Sequence, residues 1–307
     1  MTVPAVTVEE FAVETVAGDH AEPVVARRRN LDWLGLLPFL AFLGLFLVWP
    51  TVTIFTQAFD SESGVSTTAF TEAVTGQYRR SFIASLKISL VTALLGGLIG
   101  VLLAYAAAIV RRPKWLRSGV TAFSGVAANF GGIPLAFAFI AALGTQGLMT
   151  KILRSGGLDL QDQGFTIYSF WGLVIVYLYF QIPLMVLVTF PAIDGLKPAW
   201  REAAANLGAT SWGYWRRVGL PVLAPSILGG LLLLFANAFS AYATAYALST
   251  GSSNLVTVQI RFFLQGNTIT GKGQLGYALA AWMVIIMAVS MTGYLLLRRR
   301  AERWRRA

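Results

Sequence analysis

Six apolar runs, each longer than 20 residues, dominate the chain. They span Leu34–Ala58, Phe82–Val110, Val120–Gly144, Tyr168–Ile193, Pro225–Ser249 and Gly276–Leu297. A helix of about 20 apolar residues crosses the roughly 30 Å of hydrocarbon in a bilayer. A membrane barrel would need alternating strands of about ten residues, and these runs are apolar on every face. The expected fold is an all-α integral membrane protein with six transmembrane helices. Composition agrees: only 12% of residues are charged and 56% are hydrophobic, against about 25% charged in a soluble domain. The net charge of +10 sits beside apolar runs. That is a signal of membrane orientation, not of a nucleic-acid surface, so lipid is an expected partner and nucleic acid is not. The chain has no cysteine and one histidine, His20. Disulfides and thiolate or His-rich metal sites are excluded, and no metal ligand or catalytic residue is assigned.

The division expected along the chain has four parts. Residues 1–30 form a disordered acidic tail ending in a basic cluster. Residues 31–81 hold the first transmembrane helix and an external loop. Residues 82–297 hold a core of five further helices, and residues 298–307 a basic C-terminus. The tail carries Glu9, Glu10, Glu14, Asp19 and Glu22 before Arg27, Arg28 and Arg29, which is unlike the charge order of a signal peptide. Lys and Arg mark the cytoplasmic ends of helices. Seventeen of the 24 basic residues fall at one set of helix ends (27–29, 111–117, 197–217 and 298–306), and six at the other. Both termini are therefore expected in the cytoplasm, with loops 59–81, 145–167 and 250–275 outside.

The loop from Asp194 to Ala224 is the most informative segment. Pro198 suits a first helical turn and Ala203, Ala204 and Ala205 favour helix. Gly208 suits the left-handed residue that ends a helix. Ser211 is placed to cap a second short helix, which Pro221 and Pro225 would close before the fifth span. Within this loop Glu202-Ala203-Ala204 is followed by three residues, Gly208, nine residues, then Val218-Gly219-Leu220-Pro221.

That spacing resembles the loop motif of permeases of binding-protein-dependent (type I) ABC importers, with Val218 in place of isoleucine. The resemblance covers about Phe82 to Leu297. It implies that the loop is a coupling element, with Glu202, Ala203, Ala204, Gly208, Val218, Leu220 and Pro221 as its motif residues, docking on a separate ATPase. It also implies two ATP-binding subunits that hold ATP and Mg, a second permease subunit, identical or homologous, and an external solute-binding protein. This chain itself would bind no cofactor and catalyse no reaction. The stretch 129–139 is similar to the polyamine, ferric iron, thiamine and phosphonate branch of these permeases, which implies a small polar solute. A bacterial plasma (inner) membrane location follows. Without the resemblance, the loop also reads as an amphipathic helix resting on lipid through Trp200, Trp212 and Trp215.

Other residues carry weaker signals. Gly266–Gly273 nearly matches a phosphate-binding loop, but Gly273 stands where Ser or Thr must hold magnesium. Gly96 and Gly100 form a close-packing pair. Gly125, Asn129, Gly131, Gly132 and Pro134 interrupt the third span. Asn129, Pro134, Gln181, Asn237 and Tyr242 are pathway-lining candidates, since polar groups and helix breaks at membrane depth line pathways or join helices. A secondary transporter driven by an ion gradient is the alternative reading. It needs carboxylates within the spans, and the acidic residues lie in the tail, in loops or near span ends.

Overall fold

The computed structural model describes residues 35–61, 64–110, 113–249, 255–264 and 273–303. The acidic tail, its basic cluster, residues 266–272 of the glycine-rich turn and the last four residues lie outside the described residues. The described residues up to Pro50 belong to one unit and those from Thr51 to a second. In the first unit, α1 (Leu37–Leu43) passes through a π turn (Gly44–Val48) into the start of α2 (Trp49–Phe59). No residue of α1 or of this turn is buried, and Phe39, Phe42, Phe46 and Trp49 are all exposed. An apolar surface of this kind suits lipid contact.

In the second unit, a two-stranded antiparallel hairpin, β1 (Asp60–Ser61) with β2 (Gly64–Val65), precedes α3 (Thr68–Glu72) and α4 (Gly76–Ile109). Then follow α5 (Lys114–Asn129), α6 (Gly132–Leu143), α7 (Leu148–Ser155) and α8 (Phe170–Asp194). The loop helices α9 (Pro198–Asn206) and α10 (Ser211–Tyr214) come next, and a second π turn (Trp215–Gly219) leads into α11 (Leu220–Ser240). The chain closes with α12 (Ala243–Leu248), α13 (Val256–Leu264) and α14 (Gly273–Arg303).

Among the described residues six helices are long and apolar enough to cross a membrane: Leu37–Phe59, Gly76–Ile109, Gly132–Ser155, Phe170–Asp194, Ser211–Ser240 and Gly273–Leu296. The number agrees with the sequence reading, and two placements differ. The third expected span, Val120–Gly144, is split. Its first half belongs to α5, and the helix restarts at Gly132, whose φ of +74° an L side chain rarely adopts. The fifth starts at Ser211, not Pro225. Pro221 and Pro225 do not separate the loop helix from the span. The wider π turn, in which the Leu220 N–H bonds the Trp215 carbonyl, lets Pro221 enter the helix without ending it. The expected external loops also hold ordered structure. In 250–275, α13 buries Val256 and Val258, and the Val256 N–H donates to Ser85 Oγ at 3.0 Å.

Close helix approach holds the core together. α4 runs along α8, and the two glycines expected to pack do so on that helix. A Cβ at Gly96 would lie 2.8 Å from Gln181 Cβ, and one at Gly100 would lie 2.5 Å from Met185 Cβ and 2.8 Å from the Ile182 carbonyl oxygen. Without those side chains the backbones come near enough for dispersion to replace the hydrophobic driving force that lipid removes. Gln181 was expected to line a pathway. It is instead fully buried, and its Nε2 donates to Thr92 Oγ1 at 3.2 Å and to the Leu234 carbonyl at 3.1 Å. It therefore clamps α4, α8 and α11 and faces no opening in this chain. Phe59, Phe70 and Trp282 stack in sequence, and Trp282 Nε1 donates to the Phe70 carbonyl at 2.9 Å, which seats α3 on α14.

Replacing Gly100 by Ala is expected to force α4 and α8 apart, at a cost of about 1–3 kcal/mol. A thermal unfolding midpoint in detergent should fall clearly. An unchanged midpoint would show that the two helices are not held at this separation.

Candidate functional site

Two regions bring the expected functional residues together: the loop after α8 and the paired breaks in the third and fifth spans.

The loop is built by local chemistry. Pro198 opens α9, where no backbone donor is needed. At the other end Gly208 takes φ +76°. The Ala209 N–H donates to the Ala204 carbonyl and the Gly208 N–H to the Ala205 carbonyl, both at 2.9 Å. This is the paired closure in which a left-handed residue satisfies the last carbonyls of a helix. The next helix is capped by Thr210, whose Oγ1 accepts from the Gly213 N–H at 3.1 Å. The expected cap, Ser211, is instead the first helical residue. A threonine and a serine side by side offer equivalent caps to a sequence reading.

The C-terminal end of α9 is satisfied internally, while its N-cap, Lys197, makes no side-chain bond, and α9 buries none of its residues. Glu202, Ala203 and Arg201 are exposed, and Ala204 is half-buried. Leu207 is 88% exposed and Trp212 70%. A nine-residue helix is too short to be stable on its own. A capped, slim helix with an apolar rim of this kind is shaped to be covered.

The root of the loop is anchored below. Ala104, Val186, Ile193 and Leu223 form an apolar cluster, with Tyr105, Val120, Phe190 and Trp215 packed against it. Trp215 meets Tyr105 edge to face at 5.1 Å. Its ring occupies the space beside Gly219, where a Cβ would lie 2.5 Å from Cε3. Gly219 thus has a packing role inside the Val218-Gly219-Leu220-Pro221 segment that spacing alone did not reveal. Val218 is half-buried, and Leu220 and Pro221 are exposed. Beside the cluster, Arg117 on α5 pairs with Asp194, the last residue of α8, at 2.6 Å, and its guanidinium lies 5.0 Å from the Phe190 ring centre. The pair is 41% and 48% exposed, so it adds only about 0–1 kcal/mol to stability.

The second region lies where the candidate span Gly132–Ser155 begins and the candidate span Ser211–Ser240 ends. The chain is non-helical at Phe130–Gly131 and again at Ala241–Tyr242. The two breaks meet. The Gly132 N–H donates to Thr244 Oγ1 at 3.0 Å, and the Thr244 hydroxyl lies 3.3 Å from the Gly132 carbonyl that accepts from it. The Ala241 carbonyl accepts from Tyr177 Oη at 3.3 Å and from Thr257 Oγ1 at 3.4 Å. Backbone groups released by the breaks thus find protein partners where lipid offers none.

Among the expected pathway residues, Asn129 and Pro134 flank the first break and both are exposed. Asn129 Nδ2 donates back to the Gly125 carbonyl at 2.8 Å. Tyr242 stands at the second break, half-buried, and Asn237 is half-buried in the helix before it. Tyr242 stacks on Tyr246 with ring centres 5.5 Å apart, and Arg261 of α13 hydrogen-bonds Tyr242 and lies 4.2 Å over the Tyr246 ring. Thr244, Tyr177 and Arg261 were missed as partners. Their roles come from contacts between segments, and nothing in their local sequence marks them. A groove of about 610 Å³ beside the first break is lined by Trp115, Phe123, Phe139, Tyr179 and other apolar residues. Its chemistry suits a hydrocarbon chain or another helix, not a polar solute.

Two glycine substitutions should separate the parts of the loop. Gly208→Ala forces an L residue into the left-handed region, a strain of roughly 1–2 kcal/mol. It should speed limited proteolysis between α9 and α10, and the thermal midpoint should barely move. Gly219→Ala must displace Trp215 and should lower the midpoint, by about 1–3 kcal/mol of stability. Equal effects of the two changes on both readouts would contradict this division.

Known proteins share this architecture. Residues 96–306 match the family model described as "Binding-protein-dependent transport system inner membrane component". The thiamine transport system permease protein ThiP of Escherichia coli K12 is 26% identical over 127 residues, covering 41% of this chain and 23% of ThiP, so the chain spans only a minor part of that relative. The probable starch degradation products transport system permease protein AmyD of Thermoanaerobacterium thermosulfurigenes is 24% identical over 270 residues, 84% of this chain and 90% of AmyD. Among solved structures, a chain of a bacterial ABC transporter involved in the import of the acidic polysaccharide alginate superposes with a TM-score of 0.67. It is 20% identical and covers 89% of this chain and 95% of that one, a likeness of fold. With six membrane helices and a family match over more than two thirds of its length, the chain belongs to the binding-protein-dependent transport system inner membrane components.

Proposed function

We propose that this chain is a permease subunit of an ABC importer. It forms part of a solute pathway and couples it to ATP hydrolysis by separate subunits. The observation that carries the reading is α9: a helix closed at its C-terminal end, with no buried residue, held between two membrane helices by an apolar root. A partner that covers α9 and moves would displace the ends of α8 and α11 together. Glu202 offers that partner a carboxylate, while Lys197, Arg201, Arg216 and Arg217 surround it with exposed positive charge.

The assembly proposed has two ATP-binding subunits, which hold ATP and Mg, a second permease chain and an external binding protein. This chain contributes no cofactor and no catalytic residue. The loop faces the cytoplasm along with both termini, as the Lys and Arg distribution supports. A plasma-membrane location agrees with the family's description. The pathway runs beside the paired breaks, where Asn129, Pro134, Asn237 and Tyr242 are open or half-open in the isolated chain. The solute proposed is small and polar, of the polyamine, iron, thiamine or phosphonate kind. ThiP's name records thiamine for that relative.

Co-expressed with its ATP-binding subunits and reconstituted, the chain should retain them through purification and support MgATP hydrolysis. Glu202→Arg, or Gly208→Pro, should release those subunits or lower hydrolysis at least fivefold. Retention and full hydrolysis in both variants would show that the loop is not the docking element.

A further inference from the structure

We propose that Arg117 is a positioning residue that ties α5 to the root of the loop, making α5 the lever that carries loop movement to the break in the third span. The inference rests on the proposed function and adds a route to it.

Arg117 reaches two groups at the end of α8. It makes a 2.6 Å ion pair with Asp194 and places its guanidinium over the Phe190 ring. Asp194 stands four residues before α9 begins. The neighbouring residues Ile193 and Leu196, and Val120 one turn along α5, pack in the same apolar cluster. Charge, ring and packing therefore converge on one end of one helix. The other end of α5 is Asn129, immediately before the break. From Arg117 to Asn129 the helix spans about 18 Å at 1.5 Å per residue. Beyond the break, Gly132 is bonded to Thr244 in both directions. A displacement at Asp194 thus has a continuous course through Arg117, α5 and Gly132 to the start of α12. Two-state elements joined by rigid helices are the physical basis for coupling distant sites.

The pair is exposed and adds little to stability, so its removal leaves a folded chain. The chain has no cysteine, so one thiol introduced and labelled before assembly with the ATP-binding subunits reports alone. The test uses this chain assembled with its ATP-binding subunits in nanodiscs, with Val126→Cys on the exposed face of α5 labelled with bimane. MgATP with vanadate is the probe, and bimane emission and trapped nucleotide are read in the same sample.

Trapping should shift the emission in the parent. R117A should cut that shift at least threefold while trapping as much nucleotide, R117K should keep most of it, and the charge exchange R117D/D194R should restore it. A full shift in R117A, no recovery in the exchange, or a parent label that ignores trapping would each overturn the lever and leave the proposed function standing. R117A that loses its nucleotide would also overturn it, since Arg117 would then serve docking. A parent that retains no ATP-binding subunit would sink the proposed function, and the lever with it.

Discussion

The demand that every backbone N–H and C=O find a partner inside the bilayer organises this molecule. Lipid supplies no hydrogen bonds, and a helix that stops inside a packed bundle must likewise be met by something that can bond its free groups. The chain stops twice, at Phe130–Gly131 and at Ala241–Tyr242. One threonine hydroxyl, on Thr244, both accepts and donates across the first break. Tyr177 and Thr257 converge on the carbonyl left by the second. The first break depends on the segment after the second, because Thr244 lies just beyond Ala241–Tyr242 and bonds Gly132.

Around this polar centre the packing is close and mostly apolar. Gly96 and Gly100 bring α4 against α8, and Gln181 bonds across to α4 and α11. Its Oε1 has no hydrogen-bond partner among the described residues. A buried unpaired acceptor costs free energy, and the two donated bonds plus tight packing offset it. The result is a stiff three-helix core from which both the loop and the broken segments project. A stiff core suits coupling, since a soft one would absorb a displacement before it reached the pathway.

The spans were legible because lipid imposes a simple rule on side chains. The number of spans and the glycine contacts of Gly96 and Gly100 followed from that rule, and Gly208 marked its turn because glycine tolerates the left-handed backbone found there. The first break was legible as composition, through Gly131, Gly132 and Pro134, whereas the second, at Ala241–Tyr242, fell unmarked inside the expected span Pro225–Ser249. Their partners were not legible, since Thr244 lies 112 residues from Gly132 and only the fold brings them together. The start of the fifth span was misplaced because proline usually ends a helix, and a π turn that accommodates Pro221 leaves no mark in local composition. Gln181 was misread for a related reason. A polar residue at membrane depth has the same sequence signature whether it faces water or joins helices, and the difference is decided by neighbours such as Thr92 and Leu234.

The π turn has a mechanical meaning. Because α10 continues through Trp215–Gly219 into α11, the helix from Ser211 to Ser240 is a single rod of 30 residues, about 45 Å from end to end. A torque applied to the exposed indole of Trp212 would be delivered as rotation at Ser240, next to the second discontinuity, with Trp215 against Tyr105 as the bearing on which the shaft turns.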